Sequence, residues 1–474
     1  MFDGDIACDY DRLRRRAASF AGALDGAGLR PGDRVALLFR RSWEAAAAVF
    51  GVLATGAVAV VVADVLRSRQ VEHIVGHSGA TVVLAGPDAL RHLTGLAIPV
   101  PVLSPPDDDS GAAFEVVPRR GGDLAQLTYT SGSTGLPKGV MISHANLHAG
   151  VAAVGEYLGI GPDDRLASLL PFSFDYGLNQ LFVSVASGAA LVIDRSPVAA
   201  RIDRNLRGRG VTVLAAVPTL WRQLLQVDRF RDEPIAGLRV MTNTGGRLGE
   251  TTVRALRRAQ PGAALFSMYG LTEAFRSTYL DPSLVDAKPA SVGRAIPGAV
   301  VGVVRPDGTA CDPCEVGEIV HRGPTVTLGY WRDEPATARV FRPPADDRTG
   351  GPVAHSGDYG WLDDDGDLYV EGRRDHMVKR LGFRVSPDEV VDALLASGLV
   401  RDACVTSPST SDQPEPELVG HVVLHPAGGL ADLERHLAAE LPRHLRPDRL
   451  VAHGALPTTP NGKPDLHALE GAVR

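Results

Sequence analysis

A chain of 474 residues, 44% hydrophobic and with a net charge of −7, is long enough for two or more domains and apolar enough for real cores. The acidic balance argues against a nucleic-acid partner, which normally requires a basic face. Four cysteines (Cys8, Cys311, Cys314, Cys404) are too few for a disulfide framework and point to a reducing compartment, the cytoplasm. Cys311-Asp-Pro-Cys314 lacks the second pair of a zinc site and reads as a surface turn.

The N-terminus, Met1-Phe-Asp-Gly-Asp-Ile, is acidic and shows no secretory signal. From Tyr10 an Ala/Leu/Arg-rich helix runs to near Gly28, and Pro31-Gly-Asp-Arg-Val turns into a strand. Residues 45–63 carry no charge, so a membrane span must be weighed. Alanine dominates the first half and valine the second, around Thr55-Gly56, which predicts a buried helix to about Leu53 and then a strand over 57–62. Thr81 to Ala85 is a further strand, Pro105-Pro-Asp-Asp-Asp-Ser-Gly a loop, and Leu124 to Tyr129 another alternating strand. This alternation predicts an α/β fold with largely parallel sheets.

Leu127-Thr-Tyr-Thr-Ser-Gly-Ser-Thr-Gly-Leu-Pro-Lys-Gly139 is the most informative stretch. Gly132, Gly135 and Gly139 permit tight turns that gather N–H groups around a phosphate. Thr130, Ser131, Ser133 and Thr134 add hydroxyl donors, and Lys138 a point charge. It is not the usual P-loop, because Lys138 is followed by Gly139 and the glycine spacing differs. Four more motifs follow: Tyr269-Gly-Leu-Thr-Glu273, Ser356-Gly-Asp-Tyr-Gly-Trp361, Gly372-Arg-Arg-Asp375 with Lys379-Arg-Leu-Gly-Phe-Arg384, and Thr459-Pro-Asn-Gly-Lys463. In this order the five resemble the signatures of the acyl-adenylating superfamily, which comprises acyl-CoA synthetases, adenylation domains of nonribosomal peptide synthetases, and luciferases. The match covers nearly the whole chain. Lysine occurs only four times, at 138, 288, 379 and 463, so 45 of the 49 basic residues are arginine. Three of the four lysines lie in motifs, which suggests a need there for a compact ammonium rather than a planar fork.

The resemblance implies a large N-terminal domain over 1–374 of parallel-type α/β sheets plus a small β-barrel-like subdomain. A small mobile α+β domain over 375–474 would follow, hinged at Asp375. It implies ATP and Mg²⁺, with Thr130 to Gly135 and Lys138 on the phosphates and Gly245-Gly246 against adenine. Tyr269, with Gly270 beside it, would stack on adenine, Thr272 would bond the α-phosphate and Glu273 would hold Mg²⁺. Asp358 and Arg373 would hold the ribose. Lys463 would bridge the α-phosphate and the substrate carboxylate, then withdraw as the small domain swings and presents the 379–384 face. Arg247 reads as a solvated cation. The family usually carries a few tens more residues before the first helix, which would leave part of the first subdomain uncovered or covered by a partner.

The resemblance places the start of the acid pocket at Leu170-Pro-Phe-Ser-Phe-Asp-Tyr-Gly-Leu-Asn179. Phe174-Asp175 resembles the amino-acid-activating members, where the carboxylate holds the substrate ammonium; the alternative is that Asp175 caps the following helix. The next residues, Tyr-Gly, leave room for a displaced amino group, as in enzymes for β-amino acids, or for none. Phe275 and Arg276, which follow the second motif directly, would line the pocket, Arg276 either reading a second carboxylate or making a structural salt bridge. The expected reaction is activation of an amino-bearing acid and transfer to a phosphopantetheine thiol. No carrier domain follows Lys463, so that thiol would come in trans from a carrier protein or CoA. The rivals are an acyl-CoA ligase for a non-amino acid and a non-catalytic nucleotide-binding homologue; the presence of Lys463 and Glu273 argues against the latter.

Overall fold

The computed structural model describes residues 1–93, 98–107, 114–130, 137–344, 351–373, 378–380, 383–408, 417–426 and 428–471. Two layered α/β units come first. Six strands in the order Val102–Leu103, Val82–Ala85, Arg34–Leu38, Val58–Val62, Leu124–Thr130 and Lys138–Ser143 are parallel except for the last pair. Val58–Val62 is almost wholly buried, the continuous apolar run expected of an interior parallel strand. The uncharged stretch before it is the helix Trp43–Ala54, capped by Ser42, whose Oγ accepts from the Ala45 N–H at 3.1 Å. Gly51 lets this helix close on helix Tyr10–Gly26: a Cβ there would lie 2.6 Å from Phe20 Cβ. Close packing between alanine-rich helices therefore explains the uncharged run, and no helix among the described residues is long and apolar enough to cross a membrane.

The second sheet has nine strands. Ala190–Ile193, Arg165–Ser168, Val213–Ala216, Val240–Asn243 and Ala264–Leu271 run parallel. One edge carries the antiparallel strands Phe275–Tyr279 and Arg294–Ala295, and the other the first residues of the chain, Phe2–Asp3 and Ile6–Ala7. Buried Asp3 pairs with Arg195 at 2.5 Å and accepts from the Trp43 N–H, tying this edge to the helix of the first unit.

The expected barrel-like subdomain is a five-stranded antiparallel sheet of Val300–Val304, Gly317–Arg322, Phe341–Arg342, Val353–Leu362 and Leu368–Arg373. Cys311 and Cys314 lie beside it as free thiols. Lys288 sits among three carboxylates of its Asp363–Asp367 turn, 2.8 Å from Asp363, 2.7 Å from Asp365 and 2.5 Å from Asp367. Those bonds hold its pKa well above the ordinary lysine value. Three donors on one atom suit three acceptors, which a planar guanidinium does not, so the fourth lysine has the same steric logic as the motif lysines.

Residues 378–450 build a core of their own. The hairpin Val378–Arg380 and Phe383–Val385 precedes helix Pro387–Ala396. Strands Val400–Thr406, Val419–Leu424 and Arg449–Ala452 form a three-stranded sheet with helix Leu430–Glu440. The proposed boundary at 374 and 375, with the hinge Asp375, falls outside the described residues.

Candidate active site

The Ser/Thr/Gly run is bracketed by an antiparallel hairpin rather than leading straight to a helix, a strand the sequence reading did not anticipate. Thr130 faces Lys138 and Tyr129 faces Gly139 across the ladder. Ser131, Gly132, Ser133, Thr134 and Gly135 lie outside the described residues. Lys138 Nζ is 3.8 Å from Asp333 and 5.7 Å from the Tyr330 ring centroid. The Tyr330 hydroxyl donates to Glu273 Oε1 at 2.6 Å, a short charge-assisted bond. Burial, then the Glu273 charge, pushes the Tyr330 phenol well up. The Glu273 carbonyl accepts from Thr327 N and Oγ1 at 2.9 and 3.0 Å, so both ends of this residue are fixed.

Beside this row, the Tyr269 hydroxyl donates to Asp358 Oδ2 at 2.6 Å, and Arg373 Nε lies 3.5 Å from Asp358 Oδ1. Asp358 and Arg373 are register partners on adjacent strands, which puts both at one sheet end. The Tyr269 ring leans on the buried His321, centroids 5.8 Å apart. Neither His321 ring nitrogen has a hydrogen-bond partner among the described residues, and burial pulls its pKa down to about 3, so it is neutral. Gly270 allows the sharp return of the chain: a Cβ there would lie 2.5 Å from the Phe275 carbonyl.

Lys463 arrives from the other side. Gly462, at φ +76°, donates to the Thr459 carbonyl at 2.9 Å, and the Thr459 N–H donates to the Lys463 carbonyl at 2.7 Å. This turn lays the lysine stem beside Gly245 (φ +82°), where a Cβ would come within 3.4 Å of Lys463 Cε. The ammonium is 5.8 Å from the Phe174 ring centroid. Lys463 is surrounded by protein yet exposed, as a side chain on the wall of an open cleft is. Burial pulls its pKa below the ordinary lysine value; Asp175, Asp358 and Glu273 oppose that, and Arg373 adds to it. One ammonium is thus within electrostatic reach of residues from three of the five motifs and the acid pocket.

Asp175 is the first residue of helix Asp175–Ala186, not its cap, which is Phe174. Its Oδ1 accepts from the Tyr176 N–H at 2.9 Å, with Thr272 close by. Burial raises its pKa against the opposing pull of Lys463, the Tyr176 N–H, Arg276 and Thr272. No cation lies within ion-pair distance of it among the described residues. The expected salt bridge of Arg276 is likewise missing among the described residues. Arg276 is buried with its guanidinium 4.5 Å over the Tyr176 ring, and its Nη2 has no hydrogen-bond partner among the described residues. Behind it, both amide atoms of Asn179 and Oε1 of Gln180 are also unpartnered among the described residues, around a cavity of about 20 Å³, room for one water. Phe275 takes φ +58° and lays its ring on Gly150, where a Cβ would lie 2.3 Å from it.

The structure therefore places Lys463 within electrostatic reach of Asp175, Asp358, Glu273 and Arg373, with Tyr269 bonded to Asp358 and Lys138 beside the Tyr330 that bonds Glu273. Gly246 is exposed. Arg247 is exposed, as expected of a solvated cation, and also pairs with Asp392 at 3.2 Å. Sequence reasoning missed Tyr330, Asp333 and His321. Tyr330-Trp331 after Gly329 was the available signal, an aromatic pair following a glycine turn.

Residues 1–331 match the family of AMP-binding enzymes. The chain is 31% identical to the L-proline–[L-prolyl-carrier protein] ligase of Pseudomonas fluorescens, covering all of this chain and 96% of that one. It is 32% identical to the protein of the same name in Streptomyces coelicolor, over 99% of this chain and 92% of that one. Among solved structures, ATP-bound MatB of Rhodopseudomonas palustris superposes with a TM-score of 0.86 at 28% identity, covering 97% of this chain and 92% of the other. The chain belongs to the AMP-binding enzyme family.

Proposed function

We propose that this enzyme activates a small amino acid as its adenylate and passes the acyl group to the phosphopantetheine thiol of a separate carrier protein. The observation that carries the amino-acid reading is Asp175, a carboxylate beside Lys463 with no ion-pair partner among the described residues. A zwitterion satisfies both groups at once, its ammonium on Asp175 and its carboxylate on Lys463. The relatives named above support L-proline as the first acid to try and a carrier protein as acceptor.

A carboxylate does not react with a thiol directly, because hydroxide is a poor leaving group. Its oxygen instead attacks the α-phosphorus of ATP, and the bond to pyrophosphate breaks. Charge spreads over the phosphoryl oxygens, so positioned cations are the main catalysts. Lys463 lies between the acid and α-phosphate, Thr272 bonds the α-phosphate, and the 130–138 loop takes the outer phosphates. Tyr269 stacks on adenine while Asp358 and Arg373 hold the ribose. The second oxygen of Glu273, oriented through Tyr330 on the first, is a hard donor that fits Mg²⁺. When bound, Mg²⁺ would neutralise phosphate charge. In the second step the thiol sulfur attacks the adenylate carbonyl carbon, gives up its proton, and AMP leaves.

Pyrophosphate release without thiol, screened over α-amino, β-amino, aryl and fatty acids, tests this. Release with amino-bearing acids alone is expected. Release with aryl or fatty acids alone would remove Asp175 as anchor and make the enzyme an acyl-CoA ligase for a non-amino acid.

A further inference from the structure

The seating of Lys463 depends on contacts remote from the reacting atoms. Arg222, on helix Pro218–Leu225, meets Asp402 of the C-terminal unit at 2.7 Å, and both side chains are largely buried, 11% and 16% exposed. Arg247 meets Asp392 at 3.2 Å. The Asp392 carboxylate lies on Gly249, where a Cβ would be 2.3 Å from its Oδ1. Gly249 is the N-cap of helix Glu250–Ala259 and brings no side chain of its own. An anion from the other unit thus sits at a positive helix end. The Thr219 hydroxyl donates to the carbonyl of Gly462, the residue before the catalytic lysine. Helix Pro218–Leu225, which carries Thr219 and Arg222, begins against Gly246, and the neighbouring Gly245 receives the Lys463 stem.

We propose that Arg222–Asp402 and Arg247–Asp392 are positioning pairs that lock the C-terminal unit with Lys463 in the adenylate-forming site. They act on the first half-reaction only, since the thiol step does not use that lysine. This rests on the function proposed above. Exposed ion pairs contribute little, but a pair as enclosed as Arg222–Asp402 leaves an uncompensated charge when one partner is removed. Arg222 is separated from the motifs in sequence and pairs with Asp402 rather than with a residue placed at the site, so its effect passes through the register of the 459–463 turn.

The test separates the half-reactions. In Asp402→Asn, ATP–pyrophosphate exchange with the best acid of the wild-type screen should fall about tenfold, while transfer from supplied aminoacyl-adenylate to pantetheine stays within about twofold. The charge exchange Arg222→Asp/Asp402→Arg should restore pyrophosphate exchange to within about threefold of wild type. Amide hydrogen exchange over 456–465, which needs no turnover, should quicken in Asp402→Asn and slow again in the double variant. Unchanged amide protection with unchanged exchange, or a parallel loss of both half-reactions that the double variant fails to recover, overturns the proposal. A wild-type enzyme that activates no acid contradicts the function proposed above instead, and the amide measurement still decides the lock.

Discussion

The two sides of the cleft are built differently. On the side proposed for the nucleotide most polar groups already hold one another, His321 excepted: Tyr269 to Asp358, Asp358 to Arg373, Tyr330 to Glu273, Lys138 to Asp333. On the acid side Asp175 lacks an ion-pair partner, and Arg276 Nη2, Asn179 and Gln180 Oε1 lack hydrogen-bond partners, among the described residues. A frame whose donors are fixed by neighbours before the ligand arrives loses little on binding and suits a substrate common to many relatives. Unpaired buried groups are costly alone and favour whatever ligand satisfies them, which is how a specificity pocket discriminates.

The sharpest break is expected from Lys463, proposed to serve both sides. Lys463→Ala should lower pyrophosphate exchange about a thousandfold or more while thiol transfer from supplied adenylate stays nearly intact. Equal loss in both assays would refute the bridging role. Asp175→Ala comes next: kcat/KM for the amino acid should fall about a hundredfold, with the KM for ATP unchanged. A matching rise in the ATP KM would show that the two sides are not separable.

On the nucleotide side, Tyr330→Phe frees Glu273 without removing it. Steady-state titration should show about a tenfold higher Mg²⁺ requirement and the same ranking of acids. A changed ranking would count against the division.

The smallest effect is on stability. His321 beneath Tyr269 has its pKa pulled to about 3, below the unfolded value, so the native state excludes a proton that the unfolded chain binds. Its contribution is whole above the unfolded pKa and is lost as pH falls through the window down to about 3, by at most about 1.4 kcal/mol per pH unit. His321→Phe should flatten the fall in Tm between pH 6.5 and 4. His421, pulled down to about 4, should leave a remainder. An unchanged Tm profile in the variant would mean that His321 is not the group responsible.

Much was legible where chemistry is local. The glycine, hydroxyl and lysine pattern at 130–139 reads as an anion loop because short-range backbone freedom and donor type are written residue by residue, and the structure describes only the two strands that bracket it. The same holds for the valine run 58–62, whose burial follows from its composition. Asp175 was legible as a candidate anchor, but both local alternatives failed on geometry: the helix starts one residue earlier than a capping role requires, and Arg276 stacks on Tyr176 instead of forming a salt bridge.

By itself the sequence determined the family, the order of the α/β units and the identity of the lysine that enters the cleft. The tertiary structure alone decided what surrounds that lysine. Tyr330 lies 57 residues from Glu273, and Asp358 lies 89 from Tyr269, so no local pattern records either bond. Arg222 and Asp402, 180 residues apart, became partners only when two separately cored units met. Pairings across such distances are set by how sheets and helices pack, and packing depends on the shape of every layer at once.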